Sequence, residues 1–199
     1  MSRRGALEGR DDVERGIGVA VLCAVAPDVP EERPMAPGED DFFRLMEPGE
    51  SLGMVGYMPP VLAQVPEYVK VFCFDRGISL QGIRENVEVC AMEQEQEILP
   101  RCDRVVVTGT SIINHSCEEI LALCGKAKDL RLSGFSTPFY PEAFRETPVC
   151  VLRGVRYKPG AAALLKPLSL GAGRTVLRPY CASRVMRLQA PRSFPGSGS

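Results

Sequence analysis

No run of about 18 apolar residues occurs in the chain, which excludes a membrane-spanning helix of ordinary length. The basic residues Arg3 and Arg4 lead into Asp11 and Asp12 rather than an apolar stretch, so the start does not read as a secretion signal. There is no C-x-x-C pair. Cys23, Cys73, Cys90, Cys102, Cys117, Cys124, Cys150 and Cys181 are scattered, mostly inside apolar segments, and are expected to be reduced core residues of a cytoplasmic protein. Acidic residues are missing from 151–199, which carries nine basic ones, whereas residues 1–50 carry 12 acidic and six basic side chains. Aromatics in that basic segment are few (Tyr157, Tyr180 and Phe194) and the pI is near 6.0, so nucleic-acid binding is not expected. The bland reading of the tail is that its charges pair with acidic surface elsewhere or stay solvated. Histidine occurs once, at His115, and no nucleophile elbow, Walker-type loop, internal repeat or heptad is evident.

What is present is enough for one domain with a short appendage. The 199 residues are 45% hydrophobic and 25% charged, close to the soluble globular average. Residues 15–26 read as a buried helix, and 27–50, with five prolines and many acids, as a long connector. From Ser51 onward strands and helices alternate. Strands are expected at 52–55, 69–74, 104–107, 130–132, 149–152 and 184–188, and helices at 60–68, 92–99 and 159–168. Ser116 and Glu119 have the capping-box spacing, with an apolar helical face of Ile120, Leu121, Leu123 and Cys124 behind them. This order predicts an α/β, Rossmann-like fold: a mostly parallel sheet covered by helices on both faces. The expected division is 1–50 as appendage and connector, 51–189 as the Rossmann-like domain and 190–199 as a disordered tail.

In such sheets ligands bind outside the carboxyl ends of the strands, which directs attention to four loops. Gly53, Gly56 and Tyr57 form a glycine turn that is not G-x-G-x-x-G and could equally be a tight strand-to-helix turn. Asp75 stands where an acid often bonds a ribose, or is a solvated turn residue. Thr108, Gly109, Thr110, Asn114 and His115 gather hydroxyls, an amide and the one imidazole, although Asn114 and His115 also suit structural roles. Gly134, Ser136 and Thr137 precede a proline-led turn that could expose backbone donors or be an ordinary loop.

These segments carry a resemblance. M-V-G-Y-M-P-P, then V-V-V-T-G-T-S-I-I-N-H-S-C-E-E-I-L, then L-S-G-F-S-T-P-F-Y-P and L-R-G-V resemble the Rossmann-like family labelled "putative heavy-metal chelation", over about Gly16 to Leu188. The resemblance implies that fold and binding of a divalent metal or a metal chelate. Members usually carry an enolase-N-terminal-like domain ahead of the Rossmann half, and too few residues precede Gly53 to hold it in full. Leu22-Cys23-Ala24 also stands where members show an Asn-Ala pair. The metal candidates are His115 and Cys117, but a protein-held zinc would want four Cys/His ligands at short spacings.

The leading expectation is therefore a binder of a small anionic or metal-linked metabolite. The alternatives are a transferase with a nucleotide-like cosubstrate, His115 as acid–base and Asp75 on a ribose, and a non-catalytic interaction subunit. A homo-oligomer or partner protein is expected to cover apolar surface left by the shortened N-terminal part.

Overall fold

The computed structural model describes residues 11–27, 42–43, 46–77, 84–158, 161–172 and 174–188. The expected tail at 190–199 and most of the connector lie outside these residues. Seven strands form one sheet in the order β3-β2-β1-β4-β5-β6-β7: β1 Ser51–Val55, β2 Lys70–Phe74, β3 Val87–Cys90, β4 Arg104–Thr108, β5 Asp129–Ser133, β6 Val151–Tyr157 and β7 Cys181–Arg187. The first six run parallel and β7 is antiparallel to β6. Strand order reverses between β1 and β4, so these two frame the switch point.

The central strands are buried along nearly their whole length because helices cover both faces of the sheet. Alternate residues feed two separate cores. Val55, Val105, Val107, Leu130 and Leu132 face one, with Ile120, Leu121 and Phe144 above them. Leu52, Met54, Val71, Cys73 and Val106 face the other, with Val61, Leu62 and Val65. Phe42, Phe43 and Met46, within the stretch read only as a connector, complete this second core and are almost fully buried. Phe42 meets Phe43 edge-on at 4.6 Å, and the Arg131 guanidinium lies 4.0 Å from its ring centre.

The helices are α1 Asp12–Ala24, α2 Pro59–Leu62, α3 Glu95–Ile98, α4 Thr110–Ile113, α5 Cys117–Leu123, α6 Leu165–Ser169 and α7 Arg174–Leu177. Four differences from the sequence expectation have physical causes. The helix expected over 60–68 is one turn, since Pro66 disfavours helical backbone at Val65. Strand β3 was not foreseen; its four residues alternate in burial as an edge strand should, and Lys70 pairs with Glu88 across it. The helix near the N-terminus forms, capped by Asp11 accepting from the Val13 and Glu14 amides, but only Val19 is buried. The Ser116 box does not form: Ser116 has helical backbone and its hydroxyl donates to Asn114 Oδ1 at 2.8 Å.

All eight cysteines are unbridged, five of them buried. Burial pushes the thiols of Cys73, Cys102 and Cys124 up to about 12, as expected of inert core residues. No helix among the described residues is long and apolar enough to cross a membrane.

Candidate functional site

The four loops do converge at the carboxyl edge of the sheet, and much of their polar capacity is spent on one another. At the end of β1, Gly56 has φ +86° and its N–H donates to the Phe74 carbonyl. A Cβ there would come within 2.7 Å of Thr108 Cγ2, so the glycine lets the β1 and β4 turns touch at the switch point. Asp75 joins β2 to this group: its Oδ2 accepts from the Tyr57 amide at 2.7 Å and its Oδ1 from Gly77 at 2.8 Å. Gly109 is packed against backbone, since a Cβ would lie 2.6 Å from the Ser136 carbonyl carbon and 2.7 Å from the Thr137 nitrogen. Thr110 donates its N–H to Thr108 Oγ1, and Ser111 donates its hydroxyl to the Thr108 carbonyl at 2.7 Å. Gly134, at φ +133°, donates to the Arg153 carbonyl and accepts from Thr137. Gly53 is set apart from the rim: it lies mid-strand, opposite Phe72 and Val105, where a Cβ would crowd Leu99 at 2.9 Å.

Open space lies beside this interlocked rim. A cleft of about 420 Å³ runs between the loops that leave β4 and β5. Its apolar walls include Leu22, Ile112, Leu121, Pro138 and Phe144, while His115, Glu118 and Glu142 bring polar groups to it. Of the twelve ligand contacts expected from sequence only His115 lines it, joined by the metal candidate Cys117.

Local geometry explains how His115 gets there. Asn114 Oδ1 accepts from both the amide and the hydroxyl of Ser116, bridging over the residue between them. His115 is thereby held at φ +62°, the one described non-glycine residue with positive φ. That conformation is uncommon for a side-chain-bearing residue, though histidine tolerates it better than most. Asn114 therefore orients its neighbour through backbone geometry. Cys117, two residues on, is buried, and burial raises its thiol pKa.

The cleft is closed on one side by α1, whose placement no local pattern could indicate. Arg15 Nε donates to the Ile113 carbonyl at 2.7 Å, Tyr140 donates its hydroxyl to the Leu22 carbonyl at 3.1 Å, and Arg156 reaches the Ala26 carbonyl at 3.2 Å. The helix thus crosses the segments after β4 and β5 and reaches the end of β6. Leu22, Glu118, Tyr140, Glu142 and Phe144 were missed from sequence. Tyr140 alone carried a signal, from its place in the proline-led loop.

The donor set does not suit a metal ion held by the protein alone. Among the described residues no three His, Cys, Asp or Glu side chains converge as a metal site would need. Burial raises the Cys117 thiol pKa, which disfavours the thiolate form that ligates.

Fold and site together define a Rossmann-like α/β protein with a small-molecule-sized cleft at the carboxyl edge of its sheet. The chain belongs to the DUF364 family, described as "Putative heavy-metal chelation", which it matches over residues 41–187. A Pyrococcus horikoshii protein of unknown function from this family is similar at 23% identity and TM-score 0.76, covering 94% of this chain and 74% of its own. Another, from Desulfitobacterium hafniense DCB-2, is similar at 18% identity and TM-score 0.66, covering 92% and 71%. No curated protein matches the chain.

Proposed function

We propose that this protein binds a small organic molecule in the cleft beside His115. The observation that carries the reading is the cleft itself. Its volume of about 420 Å³ lies in the range of small-ligand pockets, and its mostly apolar lining with a few polar groups is the usual composition of such sites. The lining narrows the sequence expectation of an anionic or metal-linked ligand. A free anion would meet the carboxylates of Glu118 and Glu142, so a metal-linked head on an apolar body suits the polar groups better. A metal brought by the ligand would need few donors from the protein, and His115 is the residue suited to supply one. The nucleotide-transferase reading gains less support, because both oxygens of Asp75 already accept backbone N–H bonds. Eight unbridged thiols suit a reducing compartment such as the cytoplasm.

Native mass spectrometry of protein purified without chelators is expected to show a small-molecule adduct. His115 is exposed in the free protein, so His115→Ala should weaken that complex about 2- to 13-fold, the equivalent of about 0.5–1.5 kcal/mol for one lost hydrogen bond. Ala143, an exposed lining residue, offers a second handle. Ala143→Trp would fill the cleft from its rim and should abolish binding with little change in melting temperature. Full binding by Ala143→Trp would remove the cleft from consideration.

A further inference from the structure

Two apolar surfaces of the described chain face solvent. On α1 and its C-cap, Val13, Ile17, Val21 and Val25 recur every four residues and are 52–71% exposed. That spacing places them along one stripe of the helix. The second surface tops the β6–β7 ribbon. β6 pairs with β5 only through Val151, Leu152 and Arg153, so Gly154–Tyr157 and their β7 partners project beyond the parallel sheet. Between the two strands, α6 and its C-cap expose Leu165 (70%), Leu168 (44%) and Leu170 (77%). Contiguous exposed patches of this kind mark places where another surface docks.

Each patch is fixed to the same body and so cannot cover the other. The hydrogen bonds from Arg15, Tyr140 and Arg156 hold α1 to the sheet-edge loops, and seven register pairs lock the ribbon. Arg156, on the projecting part of the ribbon, also binds the Ala26 carbonyl, which sets the residues just after α1 against the ribbon. Their charges are opposite. Residues 11–25 have net charge −2, from Asp11, Asp12, Glu14 and Arg15, whereas residues 157–180 carry four basic residues and no acidic one. The segments thus match in apolar character and complement each other in charge.

We propose that a second copy of this chain covers both surfaces, with α1 of each protomer docked on the ribbon helices of the other about a two-fold axis. Such an interface is isologous and closes on itself, so two copies satisfy all four patches at once. Because Leu22 on α1 also lines the cleft, the partner would brace one wall of the ligand site from outside.

Sedimentation velocity of the full chain is expected to show a dimer. Ile17→Asp and Leu165→Lys should each give a monomer with an unchanged circular dichroism spectrum, because both side chains are exposed within the protomer. An equimolar mixture of the two variants should recover the dimer. In the mixed pair one contact is wild type on both sides, and the other sets the introduced carboxylate against the introduced ammonium group. A monomeric wild-type chain would overturn the proposal, as would a dimer that survives either substitution. Failure of the mixture to reassociate would overturn the pairing of α1 with the ribbon.

Discussion

Among single residues, the glycines at the sheet edge separate packing from ligand contact. Gly109 stands among the candidate ligand contacts, yet what packs against it is the Ser136–Thr137 backbone of the same chain. A methyl group there meets peptide atoms that cannot rotate away. Gly109→Ala is therefore expected to destabilise by about 1–3 kcal/mol, the usual range for overpacking, measured as a lower denaturation midpoint. Wild-type stability in that variant would mean that the two loops can part, leaving room for a ligand between them. His115 is the opposite case. Its hydroxyl- and amide-rich surroundings were legible in the sequence, but its positive φ arises from the Asn114–Ser116 bonds on either side. Those bonds were hidden because Ser116 and Glu119 have the spacing of a capping box, which the loop geometry pre-empts.

At the scale of elements, α1 shows how a correct secondary-structure reading can misplace burial. Its apolar residues are spread around the helix, and a single-chain reading turns all of them inward. The fold buries Val19 and leaves the Val13–Ile17–Val21 stripe exposed. The helix is nevertheless well specified locally, because Asp11 satisfies two amides that would otherwise lack partners. Removing that carboxylate with Asp11→Ala should cost about 1 kcal/mol of helix stability. Hydrogen exchange offers a direct check, with faster exchange expected in the first turns of α1 than in β4 or β5. Equal protection in wild type and variant would show that tertiary anchoring, not the cap, holds this end.

For the whole molecule, a charged clamp ties the amino edge of the sheet. Glu50 pairs with Lys128 at 2.7 Å and with Arg104 at 3.4 Å, while Asp103 accepts from the Ser51 amide and hydroxyl and also pairs with Lys128. The Lys128 hydrogen bond, above all, holds the Glu50 carboxyl below its ordinary value. Burial alone would raise Asp103, but its bonds from Ser51 and Lys128 outweigh that effect and lower it. With both folded-state values depressed, the unfolded chain binds more protons as acid is added. The clamp's contribution is complete above the ordinary carboxylate range, near pH 4 to 4.5, and is lost as pH falls through the depressed values. Glu50→Gln should be less stable at pH 7 and should lose less further stability on acidification than wild type, as followed by denaturation at stepped pH. Parallel acid profiles for the two proteins would show that Glu50 is not one of the linked groups.

The sequence by itself determined the class of fold. Val-rich runs such as Arg104–Thr108, ending in small polar turns and separated by helical segments, have few ways to bury their apolar faces except as a parallel sheet between helix layers. It also brought Gly56, Asp75, Thr108 and Ser136 to one edge, because strand direction follows from that alternation. Only the tertiary structure decided what those residues do there. Whether a loop faces a ligand or a neighbouring loop depends on distances between segments far apart in the chain, as with Gly109 and Thr137 or Tyr140 and Leu22. The cleft and the two exposed patches belong to that second category. Each is a relation among elements that no local pattern encodes, and the cleft and the first patch depend on where α1 lies across the sheet edge.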